Sequence, residues 1–297
     1  MSSKNFSSQT LGTILVLLAS VGFAGKTILT KLAYRYDVDP LTLLTSRVLM
    51  AGVFFLSILI FNLARGSWVI QLSRKEWILV VILGLGGYYL SSYLDFLGLY
   101  YIDANLGRMI LFLYPTMVVI INAIITRTPI SSPTIICLLL CYSGLFMMMW
   151  PNLGNPQNNF ILGTVYIFFS ALTYALYLVG VDYFFRGKSL NFFVSLIFGA
   201  ASVGVIIHFL LARPLVSIVQ PLGFYWVVFL MSSLSTVIPI YALSSGLALV
   251  GAPRAAMLSM IGPVVTVFMG VYILDEKIVI IQMFGVMMMI VGVARIK

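Results

Sequence analysis

The sequence predicts an all-α integral membrane protein of about ten transmembrane helices, arranged as two inverted five-helix repeats. Its composition, the spacing of its apolar runs and an internal repeat support this prediction. Hydrophobic residues make up 62% of the 297 positions and charged residues only 8%, and the mean hydropathy is +1.11. Soluble domains carry about 25% charged residues. A chain with so few charges cannot cover a water-facing surface, so most of its surface must face lipid.

The apolar sequence divides into ten runs of the length that a membrane-spanning helix needs, which is roughly 20 residues. Charged residues, Pro, Asn and Gly mark the divisions. The connections are short, so consecutive helices must be close neighbours that run antiparallel. The first run, from Leu11, is longer than the core of a secretory signal, and we predict that it is retained. The predicted spans are 11–33, 40–63, 77–99, 103–126, 131–150, 160–182, 189–211, 222–246, 253–273 and 278–295.

The distribution of basic residues predicts the orientation of these spans. The formal net charge is +9, but the cations lie at the ends of apolar runs, so nucleic-acid binding is not expected. With both termini in the cytoplasm, most Lys and Arg of the short loops lie on the cytoplasmic side, as is usual in membrane proteins. We therefore predict a multi-pass protein of the plasma membrane or of a bacterial inner membrane. The predicted cytoplasmic cations are Lys4, Arg65, Arg74, Lys75, Arg127, Arg186, Lys188, Arg254, Arg295 and Lys297, and the outer ones are Lys31, Arg35, Arg213 and Lys277.

An internal repeat appears when the chain is aligned with itself at a shift of 148 residues. Gly and Pro matches carry most weight, because each marks a close helix approach or a lost backbone hydrogen bond. The repeat predicts a first unit over 1–150 and a second over 151–297. The shift corresponds to five spans, an odd number, so the second unit enters the membrane in the opposite sense. The matching pairs are Tyr93 and Tyr241, Gly98 and Gly246, Ala104 and Ala252, Met109 and Met257, Pro115 and Pro263, and Gly144 and Gly292.

Two stretches of the chain resemble a known family. The segment from Tyr93 to Ile125 (YLDFLGLYYIDANLGRMILFLYPTMVVIINAII) resembles the third and fourth helices of an EamA-type repeat, and 241–293 resembles the end of a second copy. The resemblance rests on the mid-helix Pro, the acidic Glu276 and the Gly that ends the tenth span. In the first copy 127–129 (RTP) replaces the acidic 275–277 (DEK). The family is the drug/metabolite transporter superfamily, and the resemblance implies a transporter, more often for export than for uptake.

Four charges within the spans are candidate site residues, because intramembrane charges usually face a bundle interior or a watery cavity. Lys26, Arg47, Asp95 and Arg108 all fall in the outer third of the first half, at about 1.5 Å per residue from the predicted outer ends. One carboxylate among three cations leaves an excess of positive charge, which suits a carboxylate or phosphate on a solute. Alternatively, Asp95 exchanges a proton that drives transport.

A structural interpretation of the same charges stands beside the functional one. Lys26 and Arg108 would extend to the outer headgroups, and Asp95 would pair with one of them only to hold helices together. The positions that the repeat aligns with Asp95 and Arg108 are the neutral Leu243 and Ala256. A purely structural role would be expected to recur in both halves, so this asymmetry favours a functional role.

Two prolines near the middle of the fourth and ninth spans predict where the cavity lies. Pro115 and Pro263 each free a carbonyl one turn earlier, at Leu111 and Ser259. They are interpreted either as symmetry-related hinges or as fixed kinks, since Pro is common in membrane helices. Tyr93, Tyr177 and Tyr241 are predicted to line the cavity, because Tyr combines an apolar ring with a polar tip.

Taken together, the sequence favours a secondary active transporter of a small amphiphilic metabolite, such as an amino acid or a related compound. No GxxxxGK[ST] loop is present, so an ion gradient, for instance of protons, or the gradient of the solute would supply the energy. His208 is the single histidine, so a catalytic dyad or a metal site is not expected, and no cofactor is predicted. The alternatives are a membrane-embedded enzyme acting on a lipid or peptide and a non-transporting assembly protein.

Overall fold

The computed structural model describes residues 2–68, 71–102, 104–150, 159–274 and 279–296. Within these ranges the chain forms ten helical spans and no β-strand. The α4 and α9 spans each consist of two helices separated by a short break. The spans are α1 Ser2–Tyr34, α2 Pro40–Ala64, α3 Arg74–Tyr101, α4 Ala104–Leu111 with Tyr114–Thr126, α5 Ser132–Met149, α6 Phe160–Phe185, α7 Leu190–Ala212, α8 Leu222–Val250, α9 Ala252–Leu258 with Gly262–Leu274, and α10 Ile280–Ala294.

The helices begin where the sequence supplies caps for their first N–H groups. Asp39 accepts hydrogen bonds from the backbone N–H groups of Leu41 and Thr42 at the start of α2. Ser73 and Glu76 form a reciprocal capping box at the start of α3. Such caps satisfy donors that have no partner within the helix. They explain why the helices start close to the predicted span boundaries.

The length and composition of these helices confirm a multi-pass membrane protein. Among the described residues, eight helices are long and apolar enough to cross a membrane, whereas α5 and α10 are apolar but shorter. Large apolar side chains also face outward, as Ile161 and Leu211 do, which are 76% and 83% exposed. A surface of this kind is stable only against lipid. Cys137 and Cys141 are buried free thiols on α5.

The helices pair across the two halves of the chain. The most extensive contacts join α5 to α10, α1 to α8, and α3 to α6, and α2 packs on α7. The 148-residue shift maps the first residues of α3, α4 and α5 onto those of α8, α9 and α10. The two halves therefore have the same helical plan with opposite direction, as predicted for inverted repeats.

Glycines bring two of these pairs close together. A methyl group added at Gly98 on α3 would lie 3.0 Å from the carbonyl oxygen of Gly163 on α6. A methyl group at Gly246 on α8 would lie 2.9 Å from the carbonyl oxygen of Gly12 on α1. The repeat exchanges these two contacts, because Gly98 corresponds to Gly246 at the 148-residue shift and Gly12 corresponds to Gly163 at the slightly larger shift of 151 residues. Small residues of this kind allow helix backbones to approach within a membrane.

We predict that Gly246→Ala lowers the stability of the protein by about 1–3 kcal/mol, because the methyl group overpacks the contact between α1 and α8. The matched control is Gly52→Ala on α2, where an added methyl group meets no atom within 4 Å. This control should be neutral or stabilising, since Ala favours a helix by about 1 kcal/mol over Gly. The check is the melting temperature of each purified variant in detergent. Equal melting temperatures for the two variants would contradict a tight glycine contact.

Candidate functional site

A cavity of about 120 Å³ lies between the two halves of the bundle. At roughly 10–15 Å³ of cavity volume for each water molecule, the cavity has room for about ten waters or for an organic solute of similar bulk. Its walls come from α1 to α4 of the first half and α6 to α9 of the second half. The polar and charged lining residues are Ser20, Lys26, Thr27, Arg47, Ser91, Ser92, Asp95, Arg108, Ser170, Ser235, Ser244 and Ser259. The aromatic lining residues are Phe23, Tyr88, Phe112, Tyr114, Tyr174 and Tyr177.

The structure brings all four predicted charges to this cavity. Lys26 Nζ on α1 lies 2.6 Å from Asp95 Oδ2 on α3, so the two side chains form an ion pair. The Phe96 ring lies beside this pair, 5.7 Å from Lys26 Nζ and 5.0 Å from Arg47 Cζ. Both cations therefore lie over the face of one ring, an arrangement that stabilises positive charge away from bulk water.

Arg108 on α4 completes the charge cluster, which consists of Lys26, Arg47, Asp95 and Arg108. Its Nη2 donates a hydrogen bond to the carbonyl oxygen of Ala24, on the same helix as Lys26. The exposed fraction of the residue is 3% for Arg108 and 2% for Arg47. These arginines point into the bundle and do not extend along its surface. Asp95 does pair with a cation, as the structural interpretation expected, but that pair lies in the cavity wall.

Of the three tyrosines predicted to line the cavity, only Tyr177 does so. Tyr93 faces the other side of α3, where its ring packs against His208 with centroids 5.0 Å apart. Tyr241 donates or accepts a hydrogen bond of 2.7 Å with Ser195, between α8 and α7. The cavity also receives Tyr88, Tyr114 and Tyr174, which the sequence does not distinguish from its many other tyrosines.

Two π-helical segments position part of the lining. Leu83–Tyr89 within α3 and Ser233–Val237 within α8 have π-helical hydrogen bonding. The 148-residue shift places the second segment on 85–89, inside the first. Such segments are rare and occur often at functional sites. Here they carry Tyr88 and Ser235, which face the cavity from the two halves.

Both predicted prolines lie at helix breaks beside the cavity. Pro115 opens the second part of α4, and Pro263 follows the short 3-10 turn Ser259–Ile261 of α9. In α4 the Tyr142 hydroxyl donates a hydrogen bond of 3.1 Å to the carbonyl oxygen of Phe112, the residue after the predicted Leu111. The breaks therefore occur at equivalent places in the two halves.

Ion pairs join the two halves at both ends of the bundle. At one end Arg213 Nε, after α7, lies 3.3 Å from Asp39 Oδ1, before α2. At the opposite end Lys188, before α7, pairs with Glu76 on α3. The cavity lies between these two contacts, so each pair is placed to restrain the separation of the halves at its own end.

Folding changes the surroundings of the Asp39 carboxyl and therefore its pKa. Its partial burial acts to raise its pKa, but hydrogen bonds from Thr42 and the Arg213 guanidinium outweigh this and hold the pKa below its usual value. A lowered folded-state pKa means that the ionised carboxylate stabilises the folded protein at neutral pH. This stabilisation is complete above the unfolded-state pKa and is lost as pH falls through the lower folded-state value.

We predict that Asp39→Asn weakens the acid dependence of stability. The wild-type melting temperature should fall more steeply than that of Asp39→Asn as pH drops from neutral to below the ordinary carboxyl pKa of about 3.9. The matched control is Asp37→Asn, two residues away and exposed, which should follow the wild-type curve. Parallel curves for wild type and Asp39→Asn would show that the ionised Asp39 carboxylate contributes nothing measurable to stability.

Comparisons with known proteins agree with this architecture. The model of the EamA-like transporter family matches residues 10–150 and again residues 161–296. The uncharacterized transporter YcbK of Bacillus subtilis is 32% identical over 285 residues, covering 92% of this chain and 88% of that protein. The uncharacterized transporter YyaM of the same organism is 24% identical over 288 residues, covering 95% and 92%. A solved crystal structure superposes with a TM-score of 0.76 over 98% of both chains at 17% identity, which shows a shared fold.

Proposed function

The chain belongs to the EamA-like transporter family, and from this premise we propose that it is a secondary active transporter of a small amphiphilic metabolite. The family membership confirms the resemblance seen in the sequence and makes the protein a membrane transporter. The solute class that we propose includes amino acids and related compounds. We further propose that the solute is exported across a plasma or bacterial inner membrane, with both termini cytoplasmic.

One observation carries this proposal: the cavity between the two halves has both charged and aromatic walls. The charge cluster contributes to the wall, and so do aromatic rings such as those of Tyr114, Tyr174 and Tyr177. An amphiphilic solute has the same two components, a charged or polar group and an apolar body. Transporters with inverted repeats bind their solutes at the interface of the repeats.

Alternating access is the proposed mechanism, with the halves rocking about α4 and α9. The ion pair of Asp39 with Arg213 would restrain one end, and that of Glu76 with Lys188 the other. Breaking one pair while the other persists would open the cavity to one side only. Pro115 and Pro263 would serve as hinges, because the helix is already broken there. Transport that is unaffected by replacing both prolines with alanine would exclude the hinge role.

The ion pair of Lys26 with Asp95 is the proposed site of proton coupling. Protonation of Asp95 would remove its attraction to Lys26 and release that cation toward the solute. Arg47 and Arg108 are the other cations of the cluster, so an anionic solute that binds to them would lie beside the ion pair of Lys26 with Asp95. Proton and solute binding at the cluster are therefore expected to be linked.

The carrier proposal predicts transport by the purified protein in liposomes. Labelled amphiphilic metabolites, tested as a panel under an imposed proton gradient, should include at least one that crosses faster than in protein-free liposomes. Dissipating the gradient with an ionophore should slow this movement. The absence of transport for a broad panel, with correctly folded protein in the membrane, would reject the proposal.

The coupling proposal predicts that Asp95→Asn removes the pH dependence of transport. The amide keeps nearly the same shape but cannot exchange a proton in this range. The measurement is the initial rate of transport of the panel solute as a function of pH, for wild type and variant in the same liposomes. Asp37→Asn serves as the control, since Asp37 is an exposed acidic residue that does not line the cavity. A pH profile that Asp95→Asn leaves unchanged would eliminate Asp95 as the coupling acid.

A further inference from the structure

We propose that Arg47 and Arg108 form an anion-binding subsite in the cavity, which selects organic anions over solutes that carry an ammonium group. This proposal rests on the proposed function and narrows its substrate class to the anionic members, so that amino acids with a free ammonium group are the weaker ligands. The shared chemistry of the ligand is a carboxylate or phosphate group attached to an apolar body.

The Arg47 guanidinium provides the principal binding edge. Arg47 is 98% buried, yet its Nε and Nη2 have no hydrogen-bond partner among the described residues. These two nitrogens form one edge of the planar guanidinium, and this edge binds two oxygens of a carboxylate or phosphate in parallel. Buried N–H groups normally have partners. An edge left unpaired in a cavity wall is therefore complementary to an anionic ligand.

Arg108 supplies a second set of donors. Its Nη2 is held by the carbonyl oxygen of Ala24, whereas its Nε and Nη1 have no partner in the part of the chain that the structure describes. The bond to Ala24 fixes the guanidinium on α1, the helix that also carries Lys26. Arg108 is thus positioned by the protein and still has donors to offer to a ligand.

The charge balance of the cavity disfavours a solute ammonium group. Among the described lining residues, Asp95 supplies the only carboxylate, and Lys26 already occupies it at 2.6 Å. An ammonium group would find no free carboxylate and would face like charges. The cluster has an excess of two positive charges over the Asp95 carboxylate. A doubly charged anion would neutralise this excess, so it is expected to bind more tightly than a monocarboxylate.

The difference between the lining side chains of the two halves predicts how the solute is oriented in the cavity. Leu243 replaces Asp95 at the equivalent position of the second half and also lines the cavity, and Ala256 replaces Arg108. Among the described lining residues, those of the second half carry no charge and are apolar, aromatic or hydroxyl-bearing. A solute with an anionic group at one end would place that group toward the first half and its apolar body toward the second.

The test compares probes that share a phenyl ring and differ in charge. Phenylsuccinate and phenyl phosphate carry up to two negative charges, 3-phenylpropanoate carries one, L-phenylalanine is a zwitterion and phenethylamine is a cation. Binding is measured as the rise in melting temperature of the full-length protein with increasing probe concentration. We expect the doubly charged anions to bind most tightly, 3-phenylpropanoate next, and L-phenylalanine and phenethylamine least. Phenylsuccinate and phenyl phosphate compared with each other show whether the subsite prefers carboxylate or phosphate.

A series of variants tests whether Arg47 causes the preference for doubly charged anions. Arg47→Gln should weaken binding of the doubly charged probes by about ten- to a hundredfold, the value of a charge-assisted hydrogen-bonded contact. Arg47→Lys keeps the charge but loses the two-nitrogen edge, so its affinity should be intermediate. Arg65→Gln is the matched control, because Arg65 is an exposed arginine that directly follows the last residue of α2. The Arg65→Gln variant should bind the probes as wild type does. The melting temperature without ligand shows that each variant is folded.

Several outcomes would overturn the proposal. These are equal or tighter binding of L-phenylalanine or phenethylamine, no binding of any anionic probe, and an Arg47→Gln variant that is folded and keeps the anion preference. Failure of the carrier proposal is distinguishable, because binding is measured without transport. Tight anion binding without transport of any panel solute would support the subsite and reject the carrier. Transport of zwitterions by a protein that binds no anionic probe would reject the subsite alone.

Discussion

The cost of leaving a polar group unpaired in hydrocarbon is the constraint on which the rest of this structure depends. It requires each backbone N–H and C=O group in the membrane to find a partner within the chain, and helices provide this locally. It also restricts where charged side chains lie. Most are at helix ends, as Asp39 and Glu76 are, and the few within the spans turn inward. The cavity is where these inward-facing charges meet, so the constraint that builds the helices also concentrates the chemistry.

Backbone approach at glycine determines how the helices are arranged around that cavity. The contacts of Gly98 with Gly163 and of Gly246 with Gly12 are two close glycine contacts of the same kind, and each joins the two halves. Larger side chains line the cavity that these helices enclose. The frame is therefore nearly symmetric. The charge cluster is not, because its members belong to the first half and neutral residues replace Asp95 and Arg108 in the second.

Departures from regular α-helix are concentrated around the same space. The π-helical segments of α3 and α8 and the breaks at Pro115 and Pro263 all border the cavity. Each loosens the hydrogen bonding of a helix that would otherwise be rigid. A carrier needs stable helix pairs and a region where helices bend, and this chain separates the two requirements. Glycine contacts hold the pairs together, while irregular turns lie at the centre.

The number of spans, the inverted repeat and the four charges of the cluster are predictable from the amino-acid sequence. These follow from local physics, because a charge in an apolar run and a glycine repeated at a fixed shift are visible without a structure. The tertiary structure alone decided that Asp95 pairs with Lys26 and that Arg47 keeps an unpaired edge. It also decided that Tyr88 and Tyr174 line the cavity while Tyr93 and Tyr241 do not. A tyrosine is compatible with lipid, a helix contact or a cavity, so its residue type does not specify its direction. The π-helical segments add to this, because the wider turn rotates the following residues away from the face that a regular α-helix would give them.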